Sequence, residues 1–254
     1  MLGFNGGLLG VRKVPSLAAA SGLWMSNEQS VAKQAGIWPT AGGDPYWNDV
    51  SLLLRCDGSN GSATFTDLST NAHSITTSGT AQVSTAEKQF GTGSLAVGFS
   101  ATGYIDTPAS STFSFPGDFT IECWAKFDAS QSGGTSALLE LNDYTNGILI
   151  RSDNTYVNSN AIGWTGLVNT GWRHLALTRS GNVVRWFRDG TVDAFSTTIS
   201  GTINSANGKL RFGADIHTGG GSPMKGYIDE IRVTKGVARY TANFTAPVAA
   251  FPAG

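Results

Sequence analysis

The sequence predicts an all-β fold, an antiparallel β-sandwich preceded by an extended N-terminal arm with one short helix. Three observations predict it. From Asp49 onward, short runs of strand-forming residues are separated by dense turn signals, among them Asp57-Gly58, Asn60-Gly61, Pro116-Gly117-Asp118, Asn146-Gly147, Ser180-Gly181-Asn182 and Asp189-Gly190. No helical period intervenes, so neighbouring strands must run antiparallel. The composition agrees: 33 of 254 residues are Gly and only 14% are charged, against a usual ~7% and ~25%. Seven Trp complete a profile that suits a turn-rich sandwich and excludes a helical enzyme or a disordered chain.

Residues 1–48 read as the arm and 49–254 as the sandwich. Ser26 caps a short helix, Gln29 reaches back to it in a capping box, and Gly36 supplies the left-handed stop. Val31, Ala32 and Ala35 share one face. So short a helix is marginal in isolation and must pack on something. Ile37-Trp38-Pro39 breaks it, and Gly42-Gly43-Asp44-Pro45-Tyr46-Trp47-Asn48 reads as a linker. Strands are expected at 51–56, 63–66, 74–77, 80–84, 94–97, 102–106, 119–127, 136–142, 147–151, 155–158, 161–164, 172–179, 183–188, 191–196, 209–213 and 227–234. Asp189-Gly190, set between two such runs, is a two-residue hairpin signal. On strand 183–188, Val184 and Trp186 share one face and Arg185 and Phe187 the other. One pair must leave the core unless both faces are covered.

The formal net charge is −1, with no basic run, so binding of nucleic acid or an anionic membrane by bulk charge is not expected. No apolar run approaches the ~20 residues of a membrane span. Arg12 and Lys13 follow the first apolar residues, the reverse of a secretory signal, and the expectation is assembly in a cytoplasm. Cys56 and Cys123 lie on the faces that carry Leu52 and Leu54, or Ile121 and Ala125, and read as reduced core thiols. A disulfide between neighbouring strands is the alternative. Neither has a His or Cys at zinc-binding spacing.

Five segments, kept in order, carry a family resemblance. They are Ser51–Gly58, Gln89–Ala96, Gly117–Phe127, the Gly171–Gly181 run with the following Val183–Gly190, and the closing strand Gly226–Tyr240. Together they resemble the laminin-G-like, concanavalin-A-type domains that recur in bacteriophage virion proteins. The arm from Ser21-Gly22-Leu23-Trp24 through Trp38-Pro39 is similar to short N-terminal segments of phage structural proteins. The resemblance implies a jelly-roll topology and a virion component: a capsid decoration, head fibre or tail-fibre protein, forming a homo-oligomer such as a trimer. Residues 1–48 would dock on other virion proteins through Trp24, Val31, Ala35 and Trp38, and the sandwich would project towards the host.

Some sandwiches of this fold are glycoside hydrolases, which need two carboxylates on one side of the sugar. Glu122 shares its strand face with Trp124 and Lys126, not with a second acid, and the adjacent Asp229 and Glu230 are expected on opposite faces. No catalytic residue is therefore assigned and the protein is expected not to be an enzyme. His73 and His174 read as structural. His217, in the Asp215–Ser222 loop, joins Tyr156 and Trp164 as candidates for sugar contact, since aromatic faces and amides recognise sugars without a charged pocket. The bland reading of these aromatics is core or interface packing. Asp57 and Asp229 end the first strand and begin the last. In the topology that the resemblance implies, the first and last strands are neighbours, so the two carboxylates approach, and either Ca²⁺ or a hydrogen-bond donor must join them; turn capping by each Asp is favoured. The main reading is thus a virion structural protein with a lectin-like sandwich for host surface glycan. The alternatives are a free carbohydrate-binding lectin module and a glycoside hydrolase.

Overall fold

The structure, a computed structural model, describes residues 43–99, 102–131, 135–163 and 171–254. The arm, with Trp24, Val31, Ala35 and Trp38, lies outside the described residues, as does Trp164. Asn48–Phe251 forms one compact unit, and the following concerns that unit.

Its strands are β1 (Val50–Leu54), β2 (Thr76–Gly79), β3 (Gln82–Ser84), β4 (Ser94–Val97), β5 (Gly103–Asp106), β6 (Phe119–Phe127), β7 (Ala137–Leu141), β8 (Ile148–Arg151), β9 (Asn154–Val157), β10 (Asn160–Gly163), β11 (Arg173–Ser180), β12 (Val183–Arg188), β13 (Thr191–Thr198), β14 (Leu210–Phe212) and β15 (Gly226–Lys235). They form two antiparallel sheets. The larger runs β13-β12-β11-β6-β15-β4-β3, with β1 also on β15; the smaller runs β10-β9-β8-β7-β14-β5-β2. The first and last strands are neighbours, as expected, with Leu53 opposite Arg232. The expected strand at 63–66 does not form; Thr66 makes only an isolated bridge to Ser74. The adjacent Asp67 carboxylate accepts the amides of Leu53, Ser69 and His73, so turn hydrogen bonds replace a ladder there.

The two sheets face each other across an apolar core. Ile121, Cys123, Ala125 and Phe127 of β6 point into it, as do Ile148 and Ile150 of β8 and Leu210 and Phe212 of β14. This is the period-2 alternation of a strand buried on one face. Both cysteines are buried and free. Burial raises the Cys123 thiol well above its ordinary value, helped by Glu122 and Asp229. Between the sheets, the void lined by Ile121, Leu139, Ile150, Leu175, Trp186 and Phe212 has a volume of about 10 Å³. That is no more than one water occupies, so this void takes no ligand.

On β12 both faces are covered. Val184 and Trp186 join the core, while Phe187, also fully buried, packs beneath Tyr240 and Phe244 of the C-terminal segment. The hairpin before it fits this cover. Asp189 and Gly190 both have positive φ, 51° and 78°, the twist-matched two-residue turn. Gly190 accepts the Phe244 amide at 2.8 Å, and a Cβ there would lie 1.9 Å from the Phe244 carbonyl oxygen.

The expectation that Asp229 and Glu230 face opposite ways is corrected. Register shifts between Asp229 and Arg232, and Glu230 has φ 50°. This bulge places the core residues Ile228 and Ile231 three positions apart and turns both acids off the core. The Asp229 carboxylate accepts amides from the 89–90 turn, and Glu230 accepts the Phe251 amide at 2.7 Å.

Candidate functional site

The outer face of the smaller sheet carries the site. On β7 Glu140 points off the core, opposite Arg211 of β14 and Leu149 of β8; Leu149 in turn faces Tyr156 of β9. Two turns bring aromatics to this row. The β7–β8 turn is held by the Asp143 side chain, which accepts the Thr145 and Asn146 amides, an Asx turn that presents Tyr144. The β9–β10 turn, Asn158-Ser159, has positive φ at both residues and donates its Ser159 amide to the Tyr144 carbonyl at 2.8 Å. The Tyr144 ring then stands 5.7 Å from Tyr156 and 5.1 Å from His217, and the Arg151 guanidinium lies 5.9 Å from the Tyr156 ring centre.

Glu140, fully buried, fixes the third ring. Its Oε2 accepts the amides of Ile216 and His217, and its Oε1 accepts the His217 Nδ1–H at 2.8 Å. His217 Nε2, on a side chain 20% exposed, is left facing Asp215 Oδ2 at 3.9 Å. Asp215 is fully buried; its Oδ1 accepts Thr218 Oγ1–H and the Gly220 amide, while Oδ2 has no hydrogen-bond partner. Burial works to raise this carboxyl, but the hydroxyls of Thr218 and Ser222 and the His217 charge outweigh it and hold it below its ordinary value. The structure thus gathers two of the expected residues, Tyr156 and His217, around a third, Tyr144, that sequence reasoning missed. An acid in the apolar run Ala137-Leu138-Leu139-Glu140-Leu141 was the available signal for Glu140. The half-buried rings offer apolar faces, and the phenol, imidazole and guanidinium groups offer hydrogen bonds at their edges.

A second His–Glu pair lies on the outer face of the larger sheet and is closed. His174 Nε2 meets Glu122 Oε2 at 3.1 Å with neither side chain exposed. Tyr240 donates its hydroxyl to the same Oε2 at 2.9 Å, and Arg232 holds Oε1 through Nε and Nη2. Burial alone would raise the Glu122 carboxyl; Arg232, the His174 hydrogen bond and Arg239 outweigh it and keep it ionised well below the usual carboxylate range. Tyr240, Phe244 and Phe251 ring His174, with Tyr240 stacked on Phe244 at 3.5 Å.

Residues 99–239 match the family model described as the Concanavalin A-like lectin/glucanases superfamily. The chain belongs to this superfamily. Among solved structures, this superfamily member is similar to the binding domain of Paraclostridial Mosquitocidal Protein 1, at 17% identity and TM-score 0.57, over 75% of this chain and 49% of that one. It is also similar to domain 4 of AbnA, a GH43 extracellular arabinanase from Geobacillus stearothermophilus, solved in complex with arabinotriose, at 18% identity and TM-score 0.53 over 75% of this chain and 94% of that one. A third match is the binding domain of Botulinum Neurotoxin DC in complex with SialylT, at 13% identity and TM-score 0.52, over 74% of this chain and 48% of that one. The chain spans about half the length of the two toxin binding domains. At these identities the likeness is one of fold. No curated protein sequence matches the chain.

In this lectin-like sandwich the remaining candidates, Asp57 and Asp229, reach the same turn from two sides. Asp57 Oδ1 accepts the Thr92 amide and, at 2.9 Å, its hydroxyl; Asp229 Oδ2 accepts the Gln89 and Phe90 amides at 2.9 and 3.0 Å. Gly91 between them has φ 59°, and a Cβ there would fall 2.2 Å from Asp57 Oδ1. Backbone donors therefore join the two carboxylates. Among the described residues no three His, Cys, Asp or Glu side chains converge to hold a metal ion. Burial pushes the Asp229 carboxyl up to about 6, against its three amide bonds and with help from Asp57. Glu230 is pushed up to about 7, again chiefly by burial, with Asp229 and Asp57 adding to it. His73 bonds Thr112 Oγ1 at 3.1 Å and packs on Phe113, a structural role.

Proposed function

We propose that this chain is a non-catalytic glycan-binding module of a virion structural protein, and that it takes sugar at Tyr144, Tyr156 and His217. The single observation that carries the sugar site is the convergence of three half-open rings on a loop anchored by a buried carboxylate. An aromatic face accepts the C–H side of a pyranose, and preset ring edges accept or donate to its hydroxyls. The superfamily match supports the reading, as do neighbours whose descriptions name arabinotriose and SialylT.

The virion role rests on the sequence: the ordered resemblance of the strands and the arm at 1–48, proposed to dock on capsid or tail proteins in a homo-oligomer. Single-site sugar affinities are low, and many copies on one particle would raise avidity. The absence of a catalytic role is part of the proposal. The two carboxyls with the highest values, Asp229 and Glu230, bond backbone amides rather than facing an open groove. Domain 4 of an extracellular arabinanase among the neighbours, solved with arabinotriose, favours a second reading, a free lectin module.

A glycan array probed with the multimerised full chain tests the sugar site: binding is expected, and Tyr156→Ala and His217→Ala are each expected to remove the same glycan or glycans from the bound set. Binding unchanged in both variants would sink the site. Deleting residues 1–40 and measuring incorporation into particles tests the docking arm; full incorporation without it would sink the arm as the docking element.

A further inference from the structure

Among the described residues, the larger sheet is not covered along its whole outer face. Beyond the closed His174–Glu122 pair, register places Lys126 of β6 beside Tyr227 of β15, Tyr227 beside Ala96 of β4, and Ala96 beside Gln82 of β3. Trp172 directly precedes β11 on the other side of β6. The Tyr227 ring sits 4.8 Å from Phe99 and 6.4 Å from Trp172, so the three rings form one row. Phe99 is 41% exposed, and Tyr227 and Trp172 are half-buried. A single exposed aromatic is ordinary surface; a row of three is not.

The row is bordered by charges that cancel. Lys126 pairs with Glu87 at 2.7 Å; Lys225 lies 3.8 Å from Asp128, donates to Ser130 Oγ at 2.5 Å, and stands 5.6 Å from the Phe99 ring. Burial, with Glu87 and Asp128, raises the Tyr227 hydroxyl above its ordinary value, so it remains a neutral phenol that can donate.

From this geometry we infer that Phe99, Tyr227 and Trp172 form a second ligand site, on the sheet opposite Tyr156, that takes a neutral oligosaccharide. Local neutrality offers nothing to a phosphate, sialate or nucleic acid, because each lysine already meets a carboxylate. The surface is shallow and the rings are flanked by the Gln82 amide, the Glu87 carboxylate and the Lys126 ammonium. These suit a polyhydroxylated ring with an apolar face, stacked on aromatics and hydrogen-bonded at its rim. The inference stands independently of the Tyr156 site.

Calorimetric titration of the full chain with cello-, xylo-, arabino- and galactotetraose decides it. At least one tetrasaccharide is expected to bind in the Tyr156→Ala/His217→Ala background. Phe99→Ala in that background should weaken this binding at least fivefold, and Phe99→Ala/Trp172→Ala should remove it. Phe99 is exposed, so its replacement leaves folding intact, and an unchanged melting temperature confirms this. Loss of all tetrasaccharide binding in Tyr156→Ala/His217→Ala, or unchanged affinity in the Phe99 variants, overturns the second site while leaving the first. A fall in mass by light scattering on Phe99→Ala also overturns it, since the row would then be a contact between copies.

Discussion

The two outer faces of this sandwich carry the same chemical pair, a histidine against a buried glutamate with aromatics around it, and use it oppositely. On the larger sheet, His174 and Glu122 are sealed under Tyr240, Phe244 and Phe251 and locked by Arg232. On the smaller sheet, Glu140 is as deeply buried as Glu122, but its His217 sits on a surface loop and keeps 20% of its side chain open. The difference lies in what covers the pair. A chain segment that crosses the face converts a polar cluster into part of the interior, where every charge must be paired. A loop that only borders the face leaves ring edges free for a ligand. Similar residues alone therefore do not mark a site.

The sharpest way to break this contrast is to unpair the sealed side. Arg232→Met leaves the Glu122 charge buried without its main partner and is expected to cost about 3–5 kcal/mol, a fall in melting temperature on the order of 10 °C for a domain of this size. A loss below about 1 kcal/mol would show that water reaches Glu122 and that the cover is not closed. Next in size is the cover itself. Phe244→Ala removes half of the 3.5 Å stack with Tyr240 and is expected to destabilise by on the order of 2 kcal/mol. It should also open His174 to diethyl pyrocarbonate; in the unmodified chain His217 is expected to react and His174 to resist.

A third test uses pH. Asp229 at about 6 and Glu230 at about 7 lie above their unfolded values of ~3.9 and ~4.3. Between about pH 4 and 7 the native state then holds more protons than the unfolded chain, so stability declines as pH rises through this window. Asp229 alone accounts for about 3 kcal/mol. Glu122 and Asp215 act in the opposite sense: their carboxyls are depressed, and their contribution is lost as pH falls below about 4. Melting temperature is therefore expected to peak near pH 5 and to be lower at pH 8, with the alkaline slope flattened by Asp229→Asn and Glu230→Gln. A slope that survives both substitutions would assign it to other groups. The smallest effect on stability belongs to the open side. Tyr156→Ala should change stability by less than about 1 kcal/mol while removing sugar binding at its own site. A large loss of stability with binding retained would make Tyr156 a packing residue and erase the contrast.

Much of the sandwich was legible in the sequence because its causes are local. β4, β6 and β12 begin and end at the residues expected, and Asp189-Gly190 makes the expected hairpin, since side-chain alternation and positive-φ turns are properties of a few adjacent residues. The site was legible only in pieces. Tyr156 and His217 stood out as an aromatic and a histidine near turns, but Tyr144 did not. Nothing short of the fold puts the β7–β8 turn between β9 and the 215–222 loop.

The sequence by itself determined a turn-rich antiparallel sandwich and two core thiols, and the family resemblance implied a first strand paired with the last. Tertiary structure decided which faces are closed. Whether Phe187 and His174 meet water depends on residues 240–251 returning across β12, β11 and β6, more than fifty positions further along the chain. That Asp229 and Glu230 face the same way depends on one bulge, whose left-handed residue is a glutamate rather than the glycine that would have announced it. Period and turn chemistry act over two to four residues; burial is settled by segments that meet only when the chain has folded.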